Sequence, residues 1–551
     1  MGSLTFIDLF SGCGGFTLGM LRAGFECRAA VDSNSQAIAA LRTNLQAVSP
    51  TRLPPVGFAI EADITTLSPT ALAAIIGSDN VDVIVGGPPC QGFSTARQRD
   101  GSNHGDKRLK EDSRRHLFRN FLDHVEHFQP KVFVIENVLG LRSAAGGRYF
   151  TAVQYEARTL GRASGKPGYR VHAQIEDGDE LGVPQKRRRQ LIVGVRGDLP
   201  GYFPSALKSA PRALIGTMLG DAILDLPVLT AGEGEHRMEY DLRRKVQFLG
   251  GNRDRFRKNY LTRVAETHAS TAICNHIARP HSARDLRDFL RLGEGENSAM
   301  AMKRGVEFEF PYDKTTFKDR YTRQHRNRPC STIVAHLSKD GLMFIHPVQN
   351  RSLTPREAAR VQSFPDWFVF PEAQTHAFRL IGNAVPPLVA EAVGRAIGNF
   401  IAQTHQTKPQ RASSKIAAVT FRLPRDRAEA THWLTPFTDL STDRKTLRTM
   451  ATPQFLRAWH ALLWLFPDLH PDNAIEHGEE RHEDTASALG VEVFGRTRYT
   501  RSGWPVMLEG FGHEAWRRYH IGELTADQFY CTTAQLAGMR YRNAQLAAQK
   551  M

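Results

Sequence analysis

The chain is poor in cysteine: six in 551 residues, at positions 13, 27, 90, 274, 330 and 531. None forms a CxxC pair and none stands at zinc-binding distance from histidine, so no metal site is expected. So thin a set makes no disulfide framework, which points to a reducing cytoplasm. Long apolar runs are missing as well, and no window approaches the length needed to span a bilayer. The N-terminus has no basic region followed by an apolar stretch, so no signal peptide is expected. The opening Met-Gly-Ser leads straight into a strand pattern, which argues against lipidation. No internal repeat is visible. Positive charge, by contrast, is plentiful. Lys and Arg number 72 against 57 Asp and Glu, a net charge of +15 that favours a polyanionic partner, nucleic acid first.

Seven short apolar runs read as strands: 4–10, 25–32, 56–63, 81–87, 131–138, 169–175 and 189–196. Helix-length segments such as FTLGMLRAG and SQAIAALRTNL lie between most of them. Apolar strands alternating with helices predict an α/β fold, a doubly wound and mostly parallel sheet with ligands at the carboxyl ends of its strands. Residues 1–197 form this catalytic, cofactor-binding domain. Residues 198–325 are irregular and rich in Arg, His, Gly and Asn; an exposed solvated subdomain and a target-recognition domain both fit, and the position favours recognition. Regular pattern returns in 326–403, where LTPREAARVQSF opens on a threonine cap followed by proline, and a further helix follows GNAVPP. A polar, basic linker occupies 404–426. Residues 427–551 read as a separate, mainly helical accessory region.

Four constellations carry chemistry. In FIDLFSGCGGFTLG, Gly12, Gly14 and Gly15 let the backbone turn sharply where a strand meets a helix. By itself such a turn fits nucleotide binding in general; it has neither the spaced glycines of a dinucleotide site nor a P-loop lysine, which suits a nucleoside bound without a phosphate cradle. Asp32 and Asp63 end the second and third strands, where they could accept from ribose hydroxyls and an adenine amino group; ordinary helix caps fit equally well. In VGGPPCQGFS, two prolines stiffen the approach to Cys90. A lone cysteine is usually a core hydrophobe, but this rigid turn at a sheet edge suits a thiolate nucleophile. Glu136 ends the apolar strand VFVIENV, a costly place for a carboxylate without a task. VPQKRRR gathers guanidiniums at the same edge, either as a solvated turn or as a grip on a base and phosphate.

Taken in order, FIDLFSGCGG, AVD, GGPPCQGFS, ENV, QKRRR, LTPREAARVQSFP and GNAVPP resemble the cytosine-5 DNA methyltransferases of bacterial restriction-modification, across roughly residues 1–402. The resemblance implies transfer of a methyl group from S-adenosyl-L-methionine to cytosine C5 in double-stranded DNA. It assigns catalysis to Cys90, Glu136, Arg187 and Arg189, with Cys90 as nucleophile and Arg189 at cytosine O2. It assigns the cofactor to Phe10, Gly12, Cys13, Gly14, Gly15, Asp32, Asp63, Ile64, Pro89, Asn383 and Val385, and DNA contacts to Gln91, Ser94 and Arg97. Asp32 stands where the family often has Glu, and residues after 405 lie outside the resemblance. A nucleoid-associated bacterial protein, monomeric on DNA, is implied; a cognate restriction endonuclease stays open as a partner. An amino-group methyltransferase should carry an Asp/Asn-Pro-Pro-aromatic turn, and this turn is Gly-Pro-Pro-Cys. A tRNA methyltransferase should lack so long a recognition stretch, and a catalytically dead DNA-binding repressor need not retain Cys90, Glu136 and Arg189.

Overall fold

The computed structural model describes residues 3–48, 57–89, 117–143, 148–161, 166–199, 203–204, 207–208, 212–240, 259–263, 272–310, 321–339, 341–406, 427–434 and 444–465, with 511, 514, 515, 518, 523 and 524. All seven strands read from the sequence are present: β1 (Thr5–Leu9), β2 (Glu26–Asp32), β3 (Ala59–Glu61), β4 (Val83–Gly86), β5 (Val132–Asn137), β6 (Tyr169–Asp177) and β7 (Arg188–Arg196). They form one sheet in the order β3-β2-β1-β4-β5-β7-β6. β1 pairs in parallel with β2 and β4, β2 with β3, and β4 with β5. The β-branched runs VIV in β4 and VFVI in β5 are buried throughout, as a sheet covered on both faces requires.

The order reverses between β1 and β4, so the crevice beyond their carboxyl ends is the place where such a sheet receives ligands. The register Leu9↔Gly86 and Gly86↔Ile135 brings the ends of β1, β4 and β5 level. The turn after β1, the Gly-Pro-Pro turn and Glu136 therefore meet at one edge.

Residues 198–325 hold more order than their composition suggests. β8 (Gly234–Glu239) and β9 (Ala272–Ile277) pair antiparallel. Ser282 caps the helix Ala283–Leu290 and Asn297 caps Ser298–Lys303. Phe289, Ala301, Phe308 and Tyr321 build a small core there with Leu342 and Ile345 from beyond residue 325.

Helix Pro355–Val361 starts as its sequence predicts: Thr354 caps it, Glu357 closes the capping box and Pro355 takes the first turn. Its arginines are wholly buried. Arg360 pairs with Asp225 and Asp366, and Arg351 before the helix pairs with Glu357. Arg356 instead donates to the carbonyls of Cys274, Pro365 and Phe368, fastening β9 to the helix. Removing one partner of such a buried pair costs about 3–5 kcal/mol.

Close contacts divide the chain into two compact units. One comprises Met1–Glu156, Ile175–Leu191 and Pro204–Gly398; the other comprises Ala157–Gln174, Ile192–Phe203 and Asn399–Met551. These units cut across the segments read from the sequence: 204–325 groups with the N-terminal strands, whereas 198–203 and the C-terminal residues group with parts of β6 and β7. Within the second unit, helices Arg427–Leu434, Arg444–Thr449 and Thr452–Leu465 bury Leu434, Leu447, Phe455, Trp459 and Leu462, so the apolar residues between Phe455 and Leu462 build a core. Arg518, also buried, donates to the carbonyls of Leu447 and Met450 and lies over the Phe455 ring. The acidic, His-containing stretch 470–484 lies outside the described residues. Among the described residues no helix is long and apolar enough to cross a membrane, and none of their His, Cys, Asp and Glu side chains cluster as a metal site.

Candidate active site

After β1 the chain reverses into helix Gly15–Arg22 through three left-handed residues: Phe10 (φ 62), Gly12 (φ 54) and Gly14 (φ 92). For Phe10, which has a Cβ, that conformation is strained by about 1–3 kcal/mol. Asp32 holds the turn: its Oδ2 accepts from Gly12 N–H at 2.9 Å and its Oδ1 from Asn34 N–H at 2.8 Å. Burial raises the Asp32 pKa, against the pull of those backbone bonds. A Cβ on Gly15 would stand 2.2 Å from Val385 O, whereas one on Gly12 would meet nothing within 4 Å. In the same strand and turn, Asp8 Oδ1 and Ser11 Oγ are buried without a hydrogen-bond partner among the described residues. Cys13 is buried with its thiol 3.9 Å from Leu380 O, and burial pushes its pKa to about 12, so it is no nucleophile.

Asp63 is exposed and serves its own turn. Its Oδ1 accepts from Thr65 N–H (2.9 Å) and Thr65 Oγ1 (2.8 Å), and those bonds lower its pKa. Ile64 beside it is buried.

At the end of β5, Glu136 meets Arg189 from β7, with Nε 2.9 Å from Oε1 and both side chains mostly buried. The contact lacks hydrogen-bond alignment, so Oε1 retains its capacity for a further partner. A Cβ on Gly87 would lie 3.3 Å from Glu136 Oε2, which places the Gly87-Pro88-Pro89 turn against the carboxylate. Asn137 Nδ2 donates to Pro88 O at 3.3 Å, while its Oδ1 accepts from Val138 N–H. This tie between the two turns was not singled out in the sequence; an amide beside Glu136 at a strand end was the available signal.

The basic segment divides by alternation. Lys186 and Arg188 are exposed, whereas Arg187 is buried and Arg189 half-buried. Arg187 does not face solvent at all: it donates to the carbonyls of Ile333 (2.8 Å), Ala384 (3.0 Å) and Gly382 (3.4 Å). Burial, then the neighbouring Arg189 cation, depresses its pKa. Gln185 Nε2 donates to Gln362 Oε1 (2.5 Å), and Gln362 Nε2 donates to Ile381 O (2.6 Å). Arg187 and this amide pair thus fix the loop holding exposed Asn383 and half-buried Val385 against Gly15. Cys90, Gln91, Ser94 and Arg97 lie outside the described residues.

The sequence profile of the C-5 cytosine-specific DNA methylases matches residues 4–399. The chain belongs to that family. The enzyme is therefore a DNA cytosine-5 methyltransferase, and its acceptor is DNA. It is 33% identical over 411 residues to the type II methyltransferase M.DdeI of Desulfomicrobium norvegicum, covering 72% of this chain and 88% of that protein. To M.AgeI of Thalassovita gelatinovora it is 32% identical, covering 71% and 98%. Among solved structures, a protein described as a DNA modification methyltransferase encoded within an E. coli prophage superposes with a TM-score of 0.51 at 26% identity, covering 73% of this chain and all of the other.

Proposed function

We propose that the enzyme transfers a methyl group from S-adenosylmethionine to C5 of a cytosine flipped out of a specific duplex sequence, through a transient bond between Cys90 and C6. The observation that carries this reading is the Glu136–Arg189 pair set against Gly87, three residues before Cys90.

The first turn fits the cofactor. Asp32 offers a carboxylate at the end of β2 for ribose hydroxyls. Ser11 contributes a buried hydroxyl that lacks a partner, and the face above Gly12 is open. Phe10, Cys13, Gly14, Gly15, Ile64, Pro89, Asn383 and Val385 line the proposed site, with Asp63 at its exposed margin. When bound, the sulfonium supplies an electrophilic methyl group.

The chain's residues prepare the acceptor. Cytosine C5 is a weak nucleophile stacked within the duplex, and extruding the nucleotide costs a few kcal/mol, on the order of what pocket contacts return. The Cys90 thiolate adds to C6, forming the S–C6 bond and moving ring electrons toward N3. Glu136 hydrogen-bonds the N3 edge and Arg189 faces O2, so both stabilise charge as it develops. C5 would then take the methyl carbon as that carbon's bond to the cofactor's sulfur breaks and leaves a neutral thioether; the C5 proton passes to water, and the re-forming C5–C6 double bond expels the Cys90 sulfur as thiolate. Arg187 acts through the loops it fixes. Gln91, Ser94 and Arg97 contact the DNA beside the target.

Residues 198–325 read the sequence, and 427–551 form an accessory region outside the catalytic machinery. The relatives' designation as type II methyltransferases supports a role in shielding host DNA from a cognate endonuclease. In this reading the protein acts as a monomer on DNA in the bacterial cytoplasm. Bisulfite sequencing of DNA from cells producing the protein tests the reading. Protected cytosines should fall in one short sequence and vanish with Cys90→Ala; a genome without protected cytosines would contradict it.

A further inference from the structure

The turn His325–Arg328 begins at the last residue of the stretch expected to read DNA and is tied directly to the catalytic edge. Cys330 N–H donates to Pro184 O (2.8 Å), and Lys186 N–H donates to Cys330 O (2.9 Å). Gln185 and Cys330 thus form a parallel bridge, and Ile333 N–H closes onto Gln185 Oε1 (3.0 Å). Arg189, three residues after Lys186, carries the contact to Glu136.

The turn is rigid. The carbonyls of Arg326 and Arg328 accept from Gly220 N–H (2.9 Å) and Leu219 N–H (3.1 Å), and Asn327 N–H donates to His325 Nδ1 (3.0 Å). Arg326 is already neutralised by Glu294, which its Nε meets at 2.9 and 3.0 Å. Arg328 and Lys186 differ from it. Both are exposed, and among the described residues neither side chain takes an ion pair or hydrogen bond. Backbone held this firmly loses little entropy on binding a fixed row of anions, so ordering the two side chains is the main conformational cost.

We infer that Arg328 and Lys186 grip DNA phosphates flanking the target nucleotide, so that this turn sets the strand's position without reading its bases. The inference rests on placing the target base at Glu136 and Arg189.

Full-length wild-type protein, Arg328→Gln, Lys186→Gln and Arg328→Lys are titrated with a duplex carrying the methylated sequence and with an unrelated duplex of equal length. Salt is varied fourfold. Each lost phosphate contact should flatten the dependence of log affinity on log salt by about 0.9, so a Gln variant should lose about 3.5-fold less affinity than wild type over that range. At the lowest salt both Gln variants should bind both duplexes more weakly, while Arg328→Lys keeps the wild-type slope. Unchanged melting temperature and cofactor affinity would show that the fold and first turn are intact; a Gln variant that melts early is replaced by the charge-reversing Glu variant read at the same melting criterion. Wild-type affinity and slope in folded Gln variants would overturn the inference. Weakening confined to the methylated sequence would also overturn it, because that pattern means base reading. A wild-type protein without salt-dependent DNA binding would overturn the functional reading as well.

Discussion

Arg189 Nε stands 2.9 Å from Glu136 Oε1, joining β7 to the end of β5 inside a mostly buried edge. Two opposite charges removed from water must be useful or replaceable, since their desolvation offsets most of their attraction. Here the pair is misaligned for a hydrogen bond, which leaves both groups able to turn toward a base. Glu136→Gln should lower kcat by about 10²–10⁴ while changing DNA affinity by less than about threefold. Single-turnover methylation with parallel DNA titrations checks this. Equal losses in rate and affinity would mean that the carboxylate is structural.

Arg187 should behave differently from Arg189. Its guanidinium donates to the carbonyls of Ile333, Gly382 and Ala384, so Arg187→Met removes those bonds and leaves Ala384 O only the 3.4 Å bond from Gln362 Nε2. The expected loss is about 2–4 kcal/mol of stability together with weaker cofactor binding, because the loop against Gly15 loosens. Denaturant unfolding and calorimetry measure both. A variant with wild-type stability and cofactor affinity but no turnover would move Arg187 to the reacting base.

Two acidic residues proposed for the cofactor should separate clearly. Asp32 organises the turn through Gly12 N–H, whereas Asp63 is exposed and bonded to Thr65. Asp32→Ala should weaken cofactor binding at least about tenfold, the loss of a charge-assisted hydrogen bond. Asp63→Ala should cost less. Calorimetry showing the reverse order would move the nucleoside toward β3.

Asp8 predicts a pH dependence. Burial lifts its pKa to about 7, opposed by the 2.6 Å bond from Thr17 Oγ1. An unfolded aspartate titrates near ~3.9, so between that pH and about 7 the folded state holds the extra proton. Its contribution to stability is full below the unfolded pKa and falls as pH rises through 7. Asp8→Asn removes that slope: relative to wild type it should gain melting temperature from pH 5 to pH 8. Parallel melting curves across that range would show that Asp8 does not titrate there.

The sheet was legible because its strands are short, β-branched and buried on both faces, a pattern with few alternatives. Thr354, Pro355 and Glu357 were legible for a local reason, since a cap needs only neighbours in sequence. Arg187 was harder to read. Three consecutive arginines look alike in composition, and only the extended backbone decides that residue 187 turns inward while 188 faces water. Its carbonyl partners lie about 150 to 200 residues downstream, beyond any local pattern. The burial of Arg356 and Arg360 is hidden in the same way, because their partners include Cys274 O and Asp225 far away in sequence; Arg351 pairs locally with Glu357 but also donates to the distant Leu229 O. The core shared by Phe289 and Ile345 also crosses a boundary that composition placed at 325.

The central claim is a covalent bond from Cys90 to the target base, and a duplex with 5-fluorocytosine at the methylated position tests it most directly. Fluorine cannot leave C5 as a proton does, so after methyl transfer the Cys90 sulfur cannot be expelled and the adduct persists. Incubation with the cofactor should give a denaturation-resistant protein–DNA species, and mass spectrometry of its peptides should place the nucleotide on Cys90. The species should be absent from Cys90→Ser. An enzyme that methylates the ordinary duplex but yields no adduct, or carries it on another cysteine, would contradict the account.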